Sequence, residues 1–208
     1  MVTIENLRMG MEKWGSTSWP LDFHNRFYST FSLYKKDGLT EDWWSWAVDS
    51  LWNWGAIRPW SKDEIRERGL KRLQQLADEY MSLRTENAGQ EPTIELVDWN
   101  RAYKFYELAY EIKGYTGQVF PAKLCHFILP SIFPVTDNAM APNEGSYESY
   151  WCLCKEEWAH CSDKDALKEV LRNEIAANTY RREVIPDYPW PTKIFELCVI
   201  GIGGIKKA

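Results

Sequence analysis

Residues Gly114 to Met140 read G-Y-T-G-Q-V-F-P-A-K-L-C-H-F-I-L-P-S-I-F-P-V-T-D-N-A-M. Glycines at 114 and 117 break the chain after a helical pattern, since glycine enters left-handed backbone without strain. A short apolar helix over 123–129 follows and carries Lys123 and His126. A proline-bounded turn then delivers Asp137 and Asn138. The layout is helix, glycine hairpin, helix, and an acid on a constrained turn.

Working outward, helical patterns account for most of the chain. A helix over 97–113 precedes the hairpin and carries Trp99, Tyr103, Tyr106, Leu108 and Tyr110. Further upstream, Thr40 opens T-E-D-W-W-S-W-A-V-D-S-L-W-N-W-G, a threonine cap with acids in the first turn and Gly55 after the last ring. Trp43, Ala47, Leu51 and Trp54 share one face there, with Trp44 and Trp52 elsewhere, which predicts a central helix. The corner G-A-I-R-P-W holds Arg58 and Trp60. Ser61 then begins an amphipathic helix to about Arg84, with Ile65, Leu70, Leu73, Leu76, Tyr80 and Leu83 at helical spacing.

Residues 1–38 show no sustained period and predict an irregular arm with one short helix near 21–35. Beyond Asn138, two helices are expected, one around Y-W-C-L-C-K-E-E-W and one after a Ser162 cap. A crossing through Pro186, Pro189 and Pro191 leads to a last helix over 192–200, and G-I-G-G-I-K-K-A reads as a frayed end. No strand-like alternation, repeat or low-complexity tract is present. The fold class is all-α: a single helical domain over 1–208 that divides at most into two lobes, 1–90 and 91–208, with the cleft between them. The loop E-N-A-G-Q-E-P supplies that boundary.

Composition narrows the function. Hydrophobic residues make up 45% and charged residues 26%, the mixture of a globular protein. No apolar run is long enough to span a membrane and the N-terminus lacks a signal-peptide core, so no membrane partner and a cytoplasmic location are expected. The net charge of −5 argues against bulk attraction to nucleic acid, so any such binding needs a local basic face. Five cysteines, odd in number, suit reduced thiols better than a disulfide framework. The spacing of Cys152, Cys154, His160 and Cys161 does not match a zinc site, so no metal and no cofactor are expected. Twelve tryptophans stand beside eleven tyrosines and eight phenylalanines. Such rings either fill a core or line a recess, and both readings stay open.

The Gly114–Met140 segment resembles the core of the helix-hairpin-helix DNA glycosylase superfamily. The resemblance covers 27 of 208 residues. It implies that Gly114, Tyr115, Thr116 and Gly117 form a hairpin presenting backbone amides to a DNA phosphate, and that F-P-V-T-D approaches the catalytic acid, Asp137. Some features depart from the superfamily: the hairpin is G-x-x-G rather than G-x-G, Thr136 intervenes before the acid, and Lys123 lies closer to Asp137 than the lyase nucleophile usually does. No four-cysteine pattern follows the acid. One bacterial antiphage type, the Brig type, removes glucosylated hydroxymethylcytosine from phage DNA, and the resemblance extends to it as one alternative.

The resemblance implies a monomeric DNA N-glycosylase that flips a modified base out of a duplex and excises it hydrolytically, leaving an abasic site as an antiviral defence. Asp137 would stabilise the oxocarbenium-like sugar and position water, as carboxylates do in glycoside hydrolysis. Lys123 is the second catalytic candidate, and His126 and Asn138 are candidate contacts. Trp43, Trp54, Arg58 and Trp60 would wall the base pocket, where a flipped base stacks on aromatic faces. Each has a plainer reading: Asp137 as a helix cap, Lys123 as a solvent-facing lysine, His126 as a satisfied partner at a helix end, the tryptophans as core and Arg58 as half of an arginine–carboxylate pair. The rival function is a non-catalytic module binding nucleic acid or protein on the same scaffold.

Overall fold

Capping and apolar spacing define the helices seen in the computed structural model, which describes residues 1–34, 38–114, 117–136, 146–179 and 183–203. Those residues form α1 (Ile4–Gly15), α2 (Asn25–Tyr34), α3 (Glu41–Asn53), α4 (Lys62–Glu86), α5 (Trp99–Lys113), α6 (Val119–Ile128), α7 (Tyr147–His160), α8 (Lys164–Asn178) and α9 (Trp190–Gly203), with no strand among them. The all-α class expected from the sequence is the one found. Thr40 caps α3 by accepting from Trp43 N–H. Ser61 and Glu64 close a reciprocal capping box on α4, satisfying two amides that a bare helix start leaves unpaired.

The chain folds as two units. One is built from both ends, 1–30 and 136–208, and the other from the middle, 31–135. The loop after α4, read above as a lobe boundary, lies within the middle unit.

In the middle unit, α3 packs on α4 and α6, and α5 packs on α4 and α6. Trp43, Trp44, Ala47, Val48 and Leu51 of α3 are buried, which makes this helix central, as expected. Gly69 lets α4 lie directly on the Trp44 ring: a Cβ there would fall 1.8 Å from ring carbon Cζ2. Trp44 Nε1–H then donates to Arg66 O at 2.9 Å, so the indole is pinned at both ends. The heptad-like reading of α4 placed Leu70 in the core, but Leu70 is 41% exposed and Gly69 is the buried neighbour. The close approach to Trp44 selects the smaller residue.

In the end-built unit, α1 and α9 cross at backbone contact. A Cβ on Gly10 would lie 1.9 Å from Leu197 O, and one on Gly201 would lie 2.1 Å from Asn6 O. Helix α1 corrects the expectation of an irregular arm. Thr3 caps it by accepting from Asn6 N–H, and Leu7, Gly10 and Trp14 form its buried face. The last helix runs beyond Ile200 and takes in Gly201 and Gly203. Helix α8 begins at Lys164 after Asp163 rather than after Ser162.

Candidate functional site

Helix α5 ends on Gly114, whose φ of +79° is the left-handed cap that glycine takes most readily, and Gly114 N–H donates to Tyr110 O. Gly117 has φ +84°, and no atom of the described residues lies within 4 Å of where a side chain would begin. Helix α6 starts two residues later, and the Gln118 side chain makes no hydrogen bond to its first amides. Helices α5 and α6 are therefore joined by a short connection that has left-handed glycines at 114 and 117. Tyr115 and Thr116 lie outside the described residues, as do the candidate acid Asp137 and its neighbour Asn138.

From Phe120 to Ile128, every residue of α6 is buried. Lys123 is only 5% exposed, and its ammonium donates to Trp54 O at 2.9 Å while sitting 5.9 Å from the centre of the Trp54 ring. His126 is fully buried. Its Nδ1 lies 2.7 Å from Phe133 O, and because a carbonyl only accepts, Nδ1 carries the proton. These two side chains tie α6 to the end of α3 and to the turn that follows α6. The placement gives Lys123 an internal partner instead of the solvent-facing position of its plainer reading, while His126 is satisfied at the end of its helix, as its plainer reading has it.

Lys113, at the last turn of α5, makes a parallel tie. Its ammonium donates to Ala56 O at 2.8 Å and to Arg58 O at 2.9 Å, and burial lowers its pKa below the ordinary lysine value. Three carbonyls of the corner, those of Trp54, Ala56 and Arg58, are thus turned inward onto ammonium groups from the helices flanking the hairpin. The corner includes a cis Arg58–Pro59 peptide. It leaves Arg58 exposed and Trp54 and Trp60 half-buried.

The candidate aromatic wall separates into two kinds of residue. Trp43 is fully buried, and its ring N–H finds no acceptor among the described residues, so it is core. Trp54 packs edge-on against Phe127 at 5.0 Å. Trp60 lies under the Arg68 guanidinium, 4.6 Å from the ring centre. The middle unit thus brings Gly114, Gly117, Lys123, His126, Trp54, Arg58 and Trp60 into one connected framework.

Sequence reasoning missed a buried polar cluster in the end-built unit. Lys193 and Glu196 are each 1% exposed and form an ion pair within α9. The Lys193 ammonium also lies over the rings of Trp14 and Tyr28, at 5.5 and 5.7 Å. Burial raises the pKa values of Tyr28, Tyr150 and Tyr188 well above the ordinary phenol value, and the Glu196 charge raises them further. Tyr188 Oη–H donates to Phe23 O at 3.0 Å, bracing Phe23 and His24, both at positive φ. The signal was legible in W-P-T-K-I-F-E-L-C-V-I: a lysine and an acid three apart in an otherwise apolar helix can pair with each other when buried.

No protein family matches this chain, and no curated protein or solved structure matches it either.

Proposed function

We propose that the chain is a helix-hairpin-helix DNA glycosylase that excises a modified base hydrolytically, with Asp137 as the acid. The observation that carries this reading is the α5–α6 connection, with Gly114 and Gly117 left-handed and the start of α6 uncapped by Gln118. Amides at a helix start favour an anion, and open space at Gly117 lets a phosphate approach the backbone. A single residue, Thr136, separates Val135, the end of the middle unit, from the acid in sequence. In this scheme the target base leaves the stack, Asp137 stabilises the sugar cation and orients water, and an abasic site remains. Glucosylated hydroxymethylcytosine of phage DNA is one modified base to which the sequence resemblance extends, and its excision would make the activity a bacterial antiviral defence.

Lys123 supports a hydrolytic route over a lyase route. Its ammonium is buried and held by Trp54 O, whereas a Schiff-base lysine must reach the sugar as a neutral amine. The same internal ties favour, as a second reading, a binding module without catalysis. The test is incubation of duplexes carrying normal cytosine, uracil or glucosyl-hydroxymethylcytosine, followed by mild alkali to cut abasic sites and by borohydride to trap any Schiff base. Cleavage of one substrate by the wild type, none by Asp137→Ala and no trapped adduct is the expected result. Duplex binding that survives Asp137→Ala, with no abasic product from any substrate, would establish the second reading instead.

A further inference from the structure

An acidic protein that binds nucleic acid needs a local cationic face, and the middle unit has one beside the hairpin. Most neighbouring cations of α4 are neutralised by carboxylates: Lys62 by Asp49, Arg66 by Asp63, Lys71 by Glu67 and Arg72 by Glu111. Arg58 and Arg68 differ, for neither forms an ion pair with a carboxylate among the described residues, although Arg68 acts on Glu64 at longer range and helps to lower its pKa. Each lies instead on an indole, Arg58 over Trp52 at 5.8 Å and Arg68 over Trp60 at 4.6 Å. A stacked guanidinium keeps its charge and directs its N–H edge away from the ring, the geometry that phosphate oxygens accept in pairs. Arg68 uses one donor on Glu111 O at 3.1 Å, and its remaining N–H groups stay available for a ligand.

Position completes the argument. Arg68 packs against the hairpin, and a Cβ on Gly114 would lie 3.2 Å from its Nη2. Arg58 and Trp60 belong to the corner whose carbonyls Lys113 and Lys123 hold from α5 and α6. The stacked arginines and the hairpin therefore share one rigid support. We propose that Arg58 and Arg68, laid on Trp52 and Trp60, form a binding surface for nucleic-acid backbone phosphates alongside the Gly114–Gly117 hairpin. This inference rests on the nucleic-acid reading above, but it is independent of whether a base is excised.

The test is fluorescence anisotropy with a short labelled duplex across a salt series, run beside the excision assay on the same proteins. Arg58→Gln and Arg68→Gln should each weaken binding equally for every base tested. Each should also reduce the slope of log affinity against log salt by about one, the signature of one lost phosphate contact. Lys71→Gln, whose charge Glu67 already neutralises, should leave the slope unchanged, and melting curves establish that each variant is folded. Slopes that match the wild type in both arginine variants would overturn the phosphate surface even if excision proceeds. Reduced slopes without excision of any base would uphold the surface and sink the glycosylase reading. A wild type that binds no duplex would overturn both.

Discussion

Replacing Lys123 with methionine separates a structural tie from a catalytic amine. Methionine keeps the length and apolar stem of lysine but removes the ammonium, which leaves Trp54 O without its donor at 2.9 Å. A hydrogen bond from a charged donor contributes about 1.5–3 kcal/mol, and a buried carbonyl left unpaired costs a similar amount. The two figures describe one loss and do not add. Against it stands the cost of keeping an ammonium 5% exposed, which methionine does not carry. The net expectation is a destabilisation of about 2 kcal/mol, or a fall in melting temperature on the order of 5–10 °C.

Lys123→Gln, which retains an N–H donor on a shorter stem, should lose less. On the proposed hydrolytic route, in which the amine takes no part, the methionine variant well below its transition should excise base at a rate within a few-fold of the wild type. The assay pairs thermal melting with single-turnover excision. A methionine variant that melts like the wild type while losing excision by orders of magnitude would refute the tie and make Lys123 the reacting group.

Gly69→Ala should destabilise the middle unit by about 1–3 kcal/mol, because a Cβ 1.8 Å from Trp44 must move about 2 Å to reach normal contact. A urea midpoint equal to that of the wild type would contradict the packing of α3 on α4. Gly10→Ala should destabilise the end-built unit comparably through its contact with Leu197 O, whereas Gly15→Ala, whose nearest neighbour would be 3.8 Å away, should be neutral or gain up to about 1 kcal/mol from helix propensity. Equal effects at the two sites would argue against the α1–α9 crossing.

Alkali should unfold the protein cooperatively. Tyr28, Tyr150 and Tyr188 have folded pKa values raised by burial, as do Cys125 and Cys154, and Cys198 is pushed up to about 11. The folded state therefore binds more protons than the unfolded state once pH passes the ordinary thiol and phenol values. The stability these groups contribute is complete below those values and is lost as pH rises toward the folded ones. Tyrosinate absorbance should appear together with loss of helical circular dichroism; tyrosinate forming in a fully helical protein would contradict the burial of these rings.

Local chemistry made some of this readable from sequence and left the rest hidden. Thr40, Ser61 with Glu64, and Gly114 act within a few residues of themselves, so the ends of α3, α4 and α5 were legible. Helix α1 was not, because its buried face is a glycine between Leu7 and Trp14, and glycine lowers helix propensity where no partner is in view. The role of Gly10 depends on Leu197, far along the chain. The choice of Gly69 over Leu70 likewise depends on Trp44. At the site, the hairpin glycines were readable from their own backbone demands. The burial of Lys123 was not, since the carbonyl that satisfies it belongs to Trp54, 69 residues away.

The crossing of α1 with α9 also bears on how the chain is made. Lys13 donates to Gly201 O across 188 residues, so α1 completes its packing only when α9 has emerged. Until then its glycine face has no partner from α9. The internal contacts of the middle unit, by contrast, join residues of 31–135 and can close once that stretch has been made. Loop-closure entropy then favours the middle unit closing first, with α1 and α9 meeting later. A ribosome stalled before Trp190 would hold a middle unit with its complete sequence and an α1 still waiting for its counterpart.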